Sequence, residues 1–197
     1  MHNERSERPA LELHGHDVSA EKEPIIHRAM VFHFPWGWMG IAESSKGIQT
    51  IVLPKRSKQT VESDLNGQSR GLLRHGESKR LEAVRHQLLD YLAGKRNFFD
   101  IPLDLSQGTA FQRKVWRTLQ RVPYGKLRSY QWIALRVGGP RYARAVGNAV
   151  GANPLPIVVP CHRIVAHDAT LGGFSGGLSM KRKLLGLEGT LTQLQRG

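Results

Sequence analysis

The chain has 197 residues, long enough for one ordinary domain or two small ones, and its 40% hydrophobic and 23% charged residues are usual for a folded soluble protein. Lys and Arg number 29 against 16 Asp and Glu, a formal charge of +13, and the single cysteine excludes an intrachain disulfide and any zinc site built on several cysteines. No apolar run approaches the roughly 20 residues of a bilayer span, and the opening MHNERSERPALELHGHD lacks the apolar core of a signal peptide. The expectation is therefore no membrane partner and a reducing, cytoplasmic and nucleoid-associated location.

The positive charge is uneven. Residues 1–100 carry 15 Lys/Arg and 13 Asp/Glu, whereas residues 101–197 carry 14 and 3, a net of +11. A basic half of this kind suits a polyanion, most commonly nucleic acid, although a solubilising surface or a ribosome-associated protein fits as well.

In chain order, residues 1–27 are polar and aperiodic and read as a flexible tail. From Ala29 to Pro54 aromatic and β-branched residues, broken at Pro35-Trp36-Gly37 and Lys46-Gly47, predict two or three strands with tight turns. Residues 54–78 are poor in apolar side chains and read mainly as loop. Leu81, Val84, Leu88 and Leu92 predict a helix over 79–93 that ends at Gly94. Phe111, Val115, Leu119 and Val122 mark another, starting near Thr109 and stopped by Pro123-Tyr124-Gly125.

Ser129 is a plausible N-cap for a short helix carrying Tyr130, Ile133, Ala134 and Val137, and Gly138-Gly139 closes it. Pro140 suits the first position of the next helix, about 140–152. Ala143, Val146 and Val150 form its apolar stripe, and Arg141, Arg144, Gly147, Asn148 and Gly151 lie opposite. Two short helices joined by a Gly-rich turn outline a helix-turn-helix, but two packed helices without a DNA role fit that outline as well. Gly147 and Gly151 each cost roughly 1 kcal/mol of helix propensity relative to Ala. Their benefit is close approach of another surface, either a DNA minor groove or a neighbouring helix.

Asn153-Pro154-Leu155-Pro156 leads into Ile157-Val158-Val159, read as an apolar strand, and then Pro160-Cys161-His162-Arg163. A lone cysteine is most often a small buried hydrophobe. With His and Arg beside it, this one is also a candidate nucleophile whose thiolate could be favoured. Neighbours on an extended segment point apart, so His162 needs a bridging water to take the thiol proton and a carboxylate behind the imidazole to orient it. Beyond residue 100 the acids are Asp104, Asp168 and Glu188; Glu188, after a helix over 180–187, is preferred. A cysteine hydrolase fits these residues too.

The segment PCHRI at 160–164 resembles the active-site motif of the O6-alkylguanine-DNA alkyltransferases, and the resemblance extends over GTAFQRKVW, VPYGKLRSY, RAVGNAVGANPLPIVVPCHRIV, GGFSGG and LLGLEG in order, about residues 91–189. It implies a two-domain α/β protein: a small ribonuclease-H-like domain with a connecting helix over 28–100, a mostly helical domain with a winged-helix type of helix-turn-helix over 101–190, and a tail over 191–197. The implied activity is direct-reversal repair, in which a flipped O6-alkylguanine (and O4-alkylthymine) gives its alkyl group once to Cys161. His162, a water and Glu188 would form the proton relay, Asn153 would order the turn, and Tyr130 would bond guanine N3. Arg144 would fill the gap left by the base, with Arg141, Ala143, Ala145, Gly147, Asn148 and Gly151 facing the minor groove. Ala143 at the groove edge would make the apolar stripe less buried there. Val165, Phe174, Ser175 and Pro156 would line the base pocket; Phe174 stands where the family commonly has Tyr, so its hydroxyl is missing. The implied partner is double-stranded DNA bound by a monomer, with no cofactor or metal.

Other readings fit parts of the same sequence. A lesion-binding or regulatory protein without repair would replace the cysteine, often with Trp, and Cys161 opposes that. A regulator with an extra zinc domain, or a zinc site in the first domain, needs cysteines that this chain lacks, although His14, His16, His27 and His33 leave adventitious metal binding open. A DNA-binding regulator using the helix pair alone leaves Pro160–Arg163 unexplained, and a hydrolase leaves the basic half and Arg144 unexplained.

Overall fold

The computed structural model describes residues 26–69, 71–168 and 170–194. Three strands, β1 (Ile26–Phe34), β2 (Gly37–Ser44) and β3 (Gly47–Lys55), form an antiparallel meander joined by two-residue turns. A fourth strand, β4 (Leu72–His75), pairs parallel to β1, giving the order β3-β2-β1-β4. β1 begins inside the stretch 1–27 read as a tail, because Ile26 and His27 pair with Leu72 and Leu73 of β4. Residues 1–25, with His14 and His16, lie outside the described residues, as do 195–197 of the 191–197 stretch; Leu191–Gln193 form a 3-10 turn.

Residues 58–68, read as loop, form helix α1 (Lys58–Gln68) with Ser57 as N-cap. Only Val61 and Leu65 of this helix are buried, so its sequence shows almost no apolar stripe. Those two side chains cover Ala29, Ala42 and Val52 on one face of the sheet. Gly40 makes room for them, since a Cβ there would meet Val61 Cγ1 at 2.5 Å.

The other sheet face, with Phe32, Met39, Ile41 and Ile51, joins helix α2 (Lys79–Leu92) in a core that continues through the second half of the chain. There α3 (Ala110–Leu119) opens with a capping box of Thr109 and Gln112. A two-residue strand β5 (Arg128–Ser129) precedes α4 (Tyr130–Val137), capped by Ser129. A 3-10 turn at Pro140–Tyr142 leads into α5 (Ala143–Gly151). β6 (Ile164–Val165) pairs parallel with β5, and α6 (Leu178–Leu187) closes the fold. Among the described residues no helix is long and apolar enough to cross a membrane.

Three backbone bonds on the edge of β3 tie the helical half to the sheet, one of them donated by Asp104 N to Ile48 O (2.7 Å). Ile48 N donates to Pro102 O (2.9 Å), and Ile51 N donates to Pro154 O (2.9 Å). At Ile48 and Ile51 the sheet edge is thus taken by the segment leading into α3 and by the loop after α5. That loop carries the cysteine.

Candidate active site

Ile157–Val159 is not a strand. Pro154, Pro156 and Pro160 deny the segment a regular ladder, and it folds back on itself, with Val159 N donating to Leu155 O at 2.8 Å. Ile157 sits at φ +76°, a conformation that costs a β-branched residue energy and recurs at functional turns. Asn153 holds the turn from inside. Its Oδ1 accepts from Leu155 N (3.0 Å), and its Nδ2 donates to Val159 O (2.8 Å) and to Cys161 Sγ (3.1 Å).

Cys161 therefore opens a 3-10 turn, Cys161–Arg163, rather than closing a strand. It is 2% exposed. Burial pushes its thiol up, and the Asn153 hydrogen bond and the Lys181 charge offset this only in part. The resting group is a protonated thiol, contrary to the thiolate suggested by its neighbours in sequence, and it needs a base.

The base is at hand. His162 is fully buried, and its Nε2 lies 2.8 Å from Glu188 Oε1. A carboxylate only accepts, so Nε2 carries the proton and Nδ1, which has no partner among the described residues, is the basic nitrogen. Burial holds the imidazole below its usual range despite Glu188, and Arg163 and Lys181 push the same way. Glu188 caps α6. Burial pushes its carboxyl up, but the hydrogen bonds and charges of His162 and Arg163 win and hold it at about 2. Arg163 Nε lies 3.0 Å from both carboxylate oxygens, Gly125 N donates to Oε2 at 3.1 Å, and the Tyr91 hydroxyl donates to Oε1.

Cys161 forms part of the wall of a cavity of about 120 Å³, with Tyr130, Gly147, Val150, Gly151, Gly173, Phe174 and Ser175. Tyr130, the first residue of α4, donates from its hydroxyl to Gly173 O at 3.2 Å. Burial pushes that hydroxyl up, and a Cys161 thiolate would push it the same way. Val165 and Pro156, expected in the pocket, are not among its lining residues: Val165 is buried in β6, and Pro156 lines an adjoining groove beside β3. Asp104 and Asp168 bond Ser44 and Thr170 and take no part.

On α5, Ala143, Arg144, Ala145, Asn148 and Gly151 are exposed and Gly147 is half-buried; Arg141, in the preceding turn, is exposed as well. Ala143 does not belong to the buried stripe. Ala149 does, with Val146 and Val150, and its carbonyl accepts from Trp116 Nε1 of α3 (2.8 Å). A Cβ added at Gly147 or Gly151 would meet no atom within 4 Å, so packing inside the protein does not explain either glycine.

Three contributors carry no signal strong enough to be singled out in the sequence: Tyr91, Arg163 as the partner of Glu188, and Lys181. Lys181 is fully buried, and its ammonium donates to the carbonyls of Ile164 (2.5 Å), Gly173 (3.3 Å) and Leu171. Burial pushes it down to about 8, and a Cys161 thiolate would oppose this. Two of them had a weak signal. Tyr91 continues the stripe Leu81, Val84, Leu88 on α2, and Lys181 precedes Leu184 and Leu185 at helical spacing, so both polar ends are forced inward. Among the described residues there is no group of three metal-ligating side chains; His27 is buried on β1 and His33 packs edge-on against Trp38.

Residues 110–190 match the family described as 6-O-methylguanine DNA methyltransferase, DNA binding domain. The constitutive methylated-DNA--protein-cysteine methyltransferase of Bacillus subtilis is 40% identical over 159 residues, 78% of this chain and 90% of that protein. The Mycolicibacterium paratuberculosis protein of the same name is 55% identical over 102 residues, where the match spans 52% of this chain and only 61% of the relative. Among solved structures, Mycobacterium tuberculosis OGT in complex with DNA superposes with a TM-score of 0.69 at 35% identity, covering 83% of this chain and 92% of that one. The O6-methylguanine-DNA methyltransferase of Pyrococcus kodakaraensis gives 0.63 at 29%, covering 83% and 99%. With a match over nine-tenths of a relative's length, on a two-part α/β fold shared with these structures, the chain belongs to the methylated-DNA--protein-cysteine methyltransferase family.

Proposed function

We infer that this protein repairs alkylated DNA by direct reversal, moving the alkyl group of a flipped O6-alkylguanine onto Cys161. The observation that carries this is a buried thiol in the wall of a small cavity, backed by a fixed imidazole–carboxylate pair and held by Asn153. In the reaction the thiol proton passes, through a water, to Nδ1 of His162, and Glu188 stabilises the imidazolium. The sulfur attacks the alkyl carbon, the bond from that carbon to O6 breaks, and its electron pair stays with the guanine. The Tyr130 hydroxyl, hydrogen-bonded to guanine N3, makes the base a better leaving group. The product is a thioether, which no group in the site can hydrolyse, so each molecule acts once.

O6 is buried in the base stack, so the base must leave it, at a cost of about a few kcal/mol. The exposed α5 face, with Arg141, Ala143, Ala145, Gly147, Asn148 and Gly151, enters the minor groove, and Arg144 takes the place of the extruded base. The pair α4–α5 followed by β6 is read as the winged-helix type, and the order β3-β2-β1-β4, with β1 and β4 parallel, as ribonuclease-H-like. The same chemistry reaches O4-alkylthymine, and one chain suffices for it. A thiol used in this way belongs in a reducing compartment that holds DNA, the cytoplasm and nucleoid.

Intact mass after incubation with duplex DNA carrying O6-methylguanine tests the reading. One methyl mass is gained on Cys161 and no more on further substrate, and Cys161→Ala binds the duplex without gaining mass. Multiple turnovers, or methylation of the Ala variant, would overturn it.

A further inference from the structure

Tyr91 belongs to the sheet half of the molecule by sequence, 97 residues before Glu188, yet its hydroxyl reaches the proton relay. The side chain is fully buried. Its ring is fixed by Phe99 (5.2 Å between centroids) and, edge-on, by Tyr124 (5.9 Å). The hydroxyl donates to Glu188 Oε1, the oxygen that also faces His162 Nε2, and lies 3.3 Å from Nε2 itself. The two groups that determine where the His162 proton sits are thus held by one hydroxyl from outside the helical half.

We propose that Tyr91 is a positioning residue of the relay: by donating to Glu188 Oε1 it limits how strongly that carboxylate draws on the Nε2 proton, and so keeps the resting imidazole neutral and able to accept the thiol proton. The proposal rests on the repair reading above. A carboxylate that loses a donor becomes a better acceptor for those that remain, and here the remaining donor that can change its charge is His162. The other groups around the pair are fixed. Arg163 Nε is bonded to both carboxylate oxygens, Gly125 N is a backbone donor, and the Tyr124 hydroxyl is committed to Leu187 O at 3.0 Å. On the imidazole side, the Lys181 charge opposes a second positive charge, and Cys161 is the proton source.

The deletion is clean. Tyr91→Phe keeps the ring against Phe99 and Tyr124 and removes only the hydroxyl. The pH–rate profile for O6-benzylguanine should show its acid limb moved up by about one pH unit, since a hydrogen bond to a charged group is commonly of that size. The rate then falls about tenfold below the limb and is unchanged on the alkaline plateau. Duplex substrate should show the same shift, because no contact with DNA is altered. NMR titration of the His162 imidazole should move upward by the same amount, and in a Glu188→Gln background Tyr91→Phe should move neither quantity. An acid limb and a His162 titration both left in place, or the same shift with Gln at position 188, would overturn the proposal. Methyl uptake by the wild-type protein, measured separately, decides the repair reading and is unaffected by either result.

Discussion

Glu188 is the residue on which the site's electrostatics converge, and its acid–base behaviour is a statement about stability. Arg163 and His162 hold the carboxyl at about 2, against 4.5 for an ordinary glutamate. A carboxyl depressed on folding stabilises the native state fully above its unfolded value, and the contribution is lost as pH falls towards the folded one. His162 acts with the same sign: its folded value lies below 6.5 because of burial, so the unfolded chain takes up the proton first as pH drops. The wild-type protein should therefore lose stability on acidification from about pH 6.5 downward, most steeply between 4.5 and 2. Glu188→Gln leaves the buried Arg163 guanidinium without its counter-charge, which typically costs about 3–5 kcal/mol. Urea unfolding across pH 7 to 2.5 is expected to show the variant less stable at neutral pH, with a flatter slope below 4.5. A parallel slope in both proteins would mean that Glu188 is not the group being protonated.

At the scale of elements, the thin face of α5 carries the next prediction. Gly147 lies inside the helix with open space where a Cβ would sit, so Gly147→Ala gains helix propensity of up to about 1 kcal/mol without a clash. It should melt higher than wild type and yet bind and repair duplex DNA less well, because in the proposed docking the added methyl group stands between the α5 face and the groove floor, at the rim of the Cys161 cavity that Gly147 also lines. A calorimetric scan paired with a fluorescence-anisotropy titration checks both halves; higher melting with unchanged DNA affinity would remove the face from the interface. Much of this element order is legible in the sequence. Thr109, Ser129 and Gly138-Gly139 punctuate α3 and α4 at the expected positions, since caps and positive φ are local demands. What the sequence hides depends on tertiary contact. α1 is helical with only Val61 and Leu65 to bury, because the sheet supplies the rest of its reason to form. Ile157–Val159 has a strand's composition but a turn's conformation, imposed by three prolines and by Asn153. Cys161, His162, Glu188 and Asn153 can be proposed together from residue chemistry and motif order. Tyr91 cannot, because its partner lies across the core and nothing in α2 alone names it.

For the molecule as a whole, the consequence of a single turnover is a permanently modified core. Cys161 lies in a turn fixed by Asn153, with Pro160 before it and the relay behind, and the cavity it faces is about 120 Å³. Alkylation turns a thiol that accepts from Asn153 Nδ2 into a thioether, a poorer acceptor, and places new carbon in the small cavity that the sulfur faces, whose wall is otherwise closely packed. Adding carbon to a packed site typically costs about 1–3 kcal/mol. The methyl adduct can lie largely within the cavity. A benzyl group needs most of that space and presses on Phe174 and Ser175, whose loop is tied through Gly173 O to Tyr130 and Lys181. Strain at that loop spreads to α4 and α6, and so to the core that both halves share. For a chain of this length each kcal/mol lowers the melting temperature by roughly 2–4 °C. Matched thermal scans of free, methylated and benzylated protein should rank in that order, with the benzyl adduct lowest by several degrees. Equal or higher melting temperatures for both adducts would show that the cavity accepts the product without strain, and that inactivation leaves the fold as stable as before.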